Sequence, residues 1–394
     1  MNKSSTPIKV MIVDDSAVIR GFLGKLLEND SDFEILNTAA NGQIAVDRLK
    51  KDKHDIILLD VEMPVMDGLT AIPLLMAAQP NVKIIMCSTL TTKNAETTLK
   101  ALALGAVECI AKPSTTQDMY SKDTFRNILI HTVKEIAGIR NPIPQAAPTS
   151  RPTSSTTAPT SATPATSRPA AAEPQNSTAP TYTSLNRAGK TVKLLPADKG
   201  FSGKPDLLAI GSSTGGPNAL FALIPHLKGI QIPVIITQHM PPTFTRILAE
   251  HIQQQTGITA VEGEENMPLL PGRIHIAPGG YHMTFKKNGP STVIHLDEGP
   301  MENFCRPAVD PMLRSAVKIY GQKIMTVILT GMGQDGMLGA REIVAAGGRV
   351  IAQDEATSVV WGMPGAAALD GTCSAVLPLQ EIGPWLRKSS LRLV

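Results

Sequence analysis

Short apolar runs alternate with helix-spaced apolar positions through the first third of the chain. The runs Ile8–Val13, Phe33–Ala39, Ile56–Leu59, Lys83–Cys87 and Glu108–Ala111 predict five strands. Helical spacing at Ser16–Asn29, Gly42–Lys51, Gly68–Gln79 and Asn94–Leu104, with a closing Gln117–Ile139, predicts five helices between and after them. This alternation predicts an N-terminal flavodoxin-like fold, a five-stranded doubly wound parallel sheet. From Asn141 to Lys204 the pattern stops. Ser, Thr, Pro and Ala dominate, and no Val, Ile, Leu, Met or Phe lies between Ile143 and Leu185. Such a segment cannot bury enough apolar surface to offset its ordering entropy, so residues 141–204 are expected to form a disordered linker.

The periodic pattern then resumes. Leu207–Ile210, Val234–Thr237 and Ile324–Leu329 suit buried parallel strands, and helical patterns follow at Pro217–His226, Phe244–Gln255 and Gly336–Ala346. Between Ile258 and Leu296 the period shortens, with Ile274–Ala277, Tyr281–Phe285 and Thr292–Leu296 as strands. The expected C-terminal domain is therefore α/β, with a mainly parallel sheet and an antiparallel insertion or edge. Its span is residues 205–390, against residues 7–130 for the first domain.

Composition removes several function classes. The net charge of +3 over 394 residues, with no basic stripe carrying interleaved aromatics, argues against nucleic-acid binding. No apolar run approaches the roughly 18 residues of a membrane span, and Met1–Pro7 is polar, without the apolar core of a signal peptide. Cys87, Cys109, Cys305 and Cys373 are scattered, with no CxxC pair. They read as thiols in a reducing compartment, so a cytoplasmic protein without membrane insertion is expected.

In a doubly wound sheet, ligands sit beyond the carboxyl ends of the strands. Asp14 and Asp15 follow the first strand, Asp60 ends the third, Ser88 and Thr89 end the fourth, and Lys112-Pro113 ends the fifth. Each alone is most simply a solvated loop residue. Together, three converging carboxylates favour a hard divalent cation such as Mg²⁺, and Lys112 and Ser88 suit an incoming phosphoryl group. An aspartate beside Mg²⁺ and a cation can become an aspartyl-phosphate. Val13-Asp14-Asp15-Ser16, Leu59-Asp60-Val61-Glu62-Met63-Pro64, Asp67-Gly68 and Ala111-Lys112-Pro113 resemble the response-regulator receiver domain. The resemblance implies that Asp60 is the phosphoacceptor, and that Asp14, Asp15, Asp60 and the Glu62 backbone carbonyl hold Mg²⁺. It makes Ser88 the switch hydroxyl and Lys112 the phosphate-binding cation. The aromatic switch residue of many receivers is absent, since Cys109 or Ile110 occupies that region.

In the second domain the first strand stops in Gly211-Ser212-Ser213-Thr214-Gly215-Gly216. Such a turn can lift a serine hydroxyl to the sheet edge beside a helix N-terminus, or can serve as a plain structural β–α turn. Read as Gly211–Gly215, the turn has Ser213 at its centre, which favours it over Ser212. A nucleophilic serine needs a base and an acid that orients it. His239, in Gln238-His239-Met240-Pro241-Pro242, follows the next strand. Asp335, in Thr330-Gly331-Met332-Gly333-Gln334-Asp335-Gly336, follows a third. Asp335 could instead cap its own helix, and Asp310 is the competing acid, read as a helix-start cap.

Those three segments, with Ala277-Pro278-Gly279-Gly280 and Arg306-Pro307-Ala308-Val309-Asp310, resemble the chemotaxis protein-glutamate methylesterase (CheB) family. By that resemblance Ser213 is the nucleophile, His239 the base and Asp335 its orienter, with the Met332 backbone N–H in the oxyanion hole. It implies no cofactor for the esterase site. The implied activity is hydrolysis of glutamate methyl esters and deamidation of glutamines on methyl-accepting chemoreceptors. A chemotaxis histidine kinase would be the phosphodonor, and the protein would be a monomer. The linker is long for the family, and Ser212 stands where Ala is frequent. The rival readings are a non-catalytic binding module and a nucleotide or cofactor binder, the latter weakened by the absence of GxGxxG and Walker A patterns.

Overall fold

Alternation along the strands decides the two-faced packing of both sheets. The computed structural model describes residues 6–88, 92–112, 122–138, 192–196 and 203–388. In β1 (Ile8–Val13), Val10 and Ile12 join one apolar cluster, while Met11 and Val13 join the opposite one. The pattern repeats in β3 (Ile56–Asp60) and β4 (Lys83–Ser88), whose strands are buried almost throughout. With β2 (Phe33–Ala39) and β5 (Glu108–Ala111) they form a parallel sheet in the order β2-β1-β3-β4-β5, as expected for the first domain. Helices α1 (Ala17–Glu28) and α5 (Lys122–Ala137) cover one face. Helices α2 (Gly42–Leu49), α3 (Gly68–Ala78) and α4 (Thr92–Ala103) cover the other.

The second sheet has seven parallel strands in the order β14-β13-β12-β6-β7-β9-β8. Its centre is β6 (Leu207–Ser212), between β12 (Ile324–Ile328) and β7 (Val234–Gln238). The outer strands are β8 (Ala260–Glu262), β9 (Ile274–Ile276), β13 (Arg349–Gln353) and β14 (Ala375–Leu377). Packed against it are α6 (Gly216–Leu223), α7 (Phe244–Thr256), α8 (Val309–Tyr320), α9 (Met337–Ala345), α10 (Met363–Leu369) and α11 (Leu379–Lys388). The hairpin β10 (His282–Asn288) and β11 (Ser291–Asp297) forms its own antiparallel pair.

One expectation needs correcting. Ile274–Ala277 does not belong to the antiparallel insertion, because β9 runs parallel to both β7 and β8. A three-residue run buried on both faces shows no alternation from which strand direction could be read. At the linker, Thr89, Pro113 and residues 141–191 lie outside the described residues. Val192–Pro196 is already attached to the second domain: Val192 is buried in its core and the Leu195 N–H donates to the Cys373 carbonyl at 2.9 Å.

The two sheet domains also touch. Helix α4 packs on α6 and α7, and a single apolar cluster runs from Ala95, Leu99 and Leu102 into Leu220, Ile247 and Leu248. Asn218 Nδ2 donates to the Ala106 carbonyl at 2.9 Å across the boundary. Met332, Val359 and Val360 pack with the opposite-face cluster of the first domain.

Candidate active site

At the top of the first sheet, the order reverses between β1 and β3, which opens a crevice at their carboxyl ends. Asp14, Asp15 and Asp60 meet there, with oxygen atoms all within 4.8 Å of one another. Lys112, just past β5, reaches both Asp14 Oδ2 (2.6 Å) and Asp60 Oδ1 (2.7 Å). Burial raises the pKa of Asp60; the Lys112 ammonium works against that rise, and the Asp14 charge adds to it. Burial works against the charge of Lys112, but the two carboxylates outweigh it and hold its pKa above the ordinary value. Ser88 is buried at the end of β4, where its carbonyl accepts the Lys112 N–H at 2.8 Å. Gly68 is required locally, since a Cβ there would lie 2.2 Å from the Asp60 carbonyl oxygen. Asp67 caps the helix that follows through a 2.7 Å bond from the Thr70 N–H. An acidic, all-oxygen donor set suits Mg²⁺, and Glu62 lies two residues past Asp60 on the loop that leaves β3. Arg20, missed in the sequence, donates to the carbonyls of Asp14 (2.6 Å) and Asp15 (3.0 Å) and fixes that loop.

In the second sheet the order reverses at β6 and β12, again a switch point. Ser212 and Gln238 are register partners on β6 and β7, so Ser213 and His239 leave adjacent strand ends. On its other side Ser213 donates its N–H to the Thr330 carbonyl, at the end of β12, at 3.0 Å. The structure separates the two serines. Ser212 is fully buried and donates to Gln238 Oε1 at 2.7 Å, whereas Ser213 is half-buried. Gln238 Nε2 donates to the carbonyls of Ser213 (3.0 Å) and His239 (3.2 Å), clamping both turns. Gly216 leaves room for this clamp, because a Cβ there would lie 2.0 Å from Gln238 Oε1. Gly215, at φ 74°, makes the left-handed entry to α6.

Asp335 Oδ2 accepts from His239 Nε2 at 2.7 Å. It also accepts from the Val309 N–H (2.6 Å), while Oδ1 accepts from the Asp310 N–H (3.0 Å). The carboxylate therefore caps α8, not the helix that follows it in sequence. Burial acts to raise the Asp335 pKa, but the His239 bond and charge and these two N–H groups outweigh it and hold it below the ordinary value. Asp310 does not cap its own helix either. It lies in the first turn of α8, and its Oδ1 accepts the Gly339 N–H of α9 at 2.7 Å. Burial, reinforced by the Asp335 charge, raises its pKa to about 6.

Two neighbours of the pair were not visible in the sequence. Asn303 Nδ2 donates to Asp335 Oδ1 at 3.1 Å, and Cys305 Sγ lies 3.3 Å from His239 Nδ1. Both ring nitrogens of His239 are thus engaged, neither by Ser213. Burial acts to lower the His239 pKa, but the Asp335 and Cys305 contacts outweigh it and raise it to about 10. Met332, on the loop after β12, is half-buried, and among the described residues no backbone acceptor meets its N–H. His275 and His282 are buried and bonded to backbone groups, so they stand apart from this chemistry. From the first domain, the Glu108 carboxyl bonds the Thr214 side chain and feels the His239 charge.

Geometrically, Ser213 and an imidazole–carboxylate pair leave neighbouring strand ends, in a chain whose other domain gathers three carboxylates and a lysine in one crevice. The CheB methylesterase model matches residues 208–386, and the response regulator receiver domain model matches residues 10–122. Folds and matches together define a response regulator whose receiver carries a catalytic domain. The chain is 50% identical over 395 residues to the protein-glutamate methylesterase/protein-glutamine glutaminase of group 2 operon of Rhodospirillum centenum, covering 98% of this chain and 95% of that one. It is 48% identical over 402 residues to the protein-glutamate methylesterase/protein-glutamine glutaminase of Azospirillum brasilense, covering 98% and 93%. The crystal structure of the Thermotoga maritima CheB methylesterase catalytic domain is 42% identical over 48% of this chain and 99% of that one, with a TM-score of 0.46. The chain belongs to the CheB methylesterase family. Among the described residues, no helix is long and apolar enough to cross a membrane.

Proposed function

We propose that this protein is a phosphorylation-activated protein-glutamate methylesterase that also deamidates glutamines, acting on methyl-accepting chemoreceptors in the cytoplasm. The observation that carries this reading is the His239–Asp335 pair beside Ser213 at the switch point of the second sheet. Ser213 Oγ attacks the side-chain ester carbonyl and His239 takes the hydroxyl proton. His239 returns that proton to the departing oxygen, which leaves as methanol. Water then opens the glutamyl-enzyme, giving the glutamate side chain and restoring Ser213. Asp335 holds the ring and stabilises its positive charge. The Met332 N–H meets the oxyanion. No cofactor is needed for these steps.

Phosphorylation belongs to the receiver. Asp60 accepts the phosphoryl group from a histidine kinase, Lys112 pairs with its oxygens, and Ser88 reports its arrival. Asp14, Asp15, Asp60 and the Glu62 carbonyl would hold Mg²⁺, which when bound neutralises charge on the transferring group. In the arrangement described above, α4 and the Glu108 edge pack beside the active site, and both ring nitrogens of His239 are bonded away from Ser213, so this arrangement is the resting one. Phosphorylation shifts the population toward an open form.

The test is methanol release from methylated receptor membranes, with and without a small phosphodonor. Wild type should release methanol faster with the phosphodonor, and Ser213→Ala should release none. Release by Ser213→Ala at the wild-type rate would leave a binding module as the better reading.

A further inference from the structure

The loop that touches the catalytic pair carries an aromatic residue whose side chain is turned out of the fold. Glu302 and Cys305 exchange both backbone hydrogen bonds, at 3.2 and 2.9 Å, closing a two-residue turn. Its central residues, Asn303 and Phe304, have φ of 52° and 63°. Both lie in the left-handed region, the type I′ pattern, whose second central position is ordinarily glycine. A phenylalanine there is strained by its Cβ. Phe304 is also 91% exposed, so no burial offsets that strain.

The turn is otherwise firmly held. Asn303 Nδ2 bonds both Asp310 (3.3 Å) and Asp335 (3.1 Å). Cys305 Sγ meets His239, and Arg314 bonds Glu302. Arg306 Nη1 donates to the carbonyls of Glu298 (2.6 Å) and Gly299 (2.8 Å). A mobile loop could expose an aromatic side chain by accident. Here, a tip fixed one residue away from the His239 contact presents it, and the first domain leaves it uncovered. Met301, on the same loop, is 63% exposed.

We propose that Phe304 is the substrate anchor of this enzyme: it docks on the receptor polypeptide flanking the ester and sets its position against Ser213. This rests on the esterase reading above. A large, rigid aromatic on a fixed turn suits the apolar ridge of a protein substrate and has no role toward a small ester, which needs only the serine and its pair.

The test uses the full chain with a small phosphodonor, on methylated receptor membranes and on p-nitrophenyl acetate. Phe304→Gly should raise KM for the receptor about tenfold, as loss of an aromatic anchor does, with kcat nearly unchanged. Hydrolysis of the small ester should not change, and the thermal midpoint should not fall, since glycine relieves the turn. Phe304→Trp should restore the receptor KM. An unchanged receptor KM, or equal losses on both substrates, would overturn the anchor while leaving the esterase intact. Failure of wild type to release methanol would overturn the esterase reading and the anchor with it.

Discussion

Cys305 stands 66 positions from His239 in the chain and 3.3 Å from its ring. No spacing rule connects two such residues, because their meeting depends on a turn beyond β11 folding back over the strand ends. The same holds for Asn303 on Asp335. What the sequence did carry was the local setting of each site residue: a polar group immediately after an apolar strand. That signal placed Asp14, Asp60, Lys112, Ser213 and His239 at strand ends, where each is found, and it left Asp335 on the loop between β12 and α9. It could not say what Asp335 caps, since two of the N–H groups it accepts come from α8, 25 and 26 residues earlier. The Cys305 contact also makes a prediction about pH. It helps raise the His239 pKa above its ordinary value of 6.5, and only the neutral ring can act as base. The ascending limb of the pH profile of kcat/KM should therefore lie above pH 6.5 in wild type. Cys305→Ala removes one raising contact, so its limb should move to lower pH. A limb that stays in place would mean that the thiol has no influence on the base.

Among the elements, the strands of the first sheet were legible and several elements of the second domain were not. All five strands of the first sheet fall within a residue of their expected bounds, as each is an apolar-rich run bounded by turn residues. The strands β8 and β14, three residues each, offer too little pattern to be seen. Of α8 only a helix start at Asp310 was read, and not that it organises the site by presenting its N-terminus to Asp335. Asp310 ties α8 to α9 through the Gly339 N–H and to the substrate-side turn through Asn303. Asp310→Ala strands a buried donor, and should lower the unfolding free energy by about 1–3 kcal/mol. Asp310→Asn keeps an acceptor in place and should lose less. Denaturant unfolding of the two variants decides it, and equal losses would show that the charge, not the hydrogen bond, matters there.

For the molecule as a whole, the docking of the receiver was the part least available from sequence. The apolar positions of α4 satisfy its own helical pattern whether they meet a partner domain or not. In the fold, Ala95, Leu99 and Leu102 join a cluster shared with α6 and α7. Beside the Glu108–Thr214 contact, the boundary is crossed by the hydrogen bond from Asn218 to Ala106. Removing it should weaken docking by about 0.5–1.5 kcal/mol, which moves a two-state equilibrium roughly two- to tenfold. Asn218→Ala should accordingly raise methanol release without a phosphodonor, while release with it stays near wild type. No rise in the unstimulated rate would place the control of the active site elsewhere.

The central claim is that Ser213 is the nucleophile and that Asp60 controls its use. Labelling of the full chain with a fluorophosphonate, followed by peptide mass spectrometry, tests both parts at once. The label should appear on Ser213, and its rate should rise when a small phosphodonor is added to wild type but not to Asp60→Asn. A label on Ser212, or a rate on Ser213 indifferent to the phosphodonor, would contradict the account.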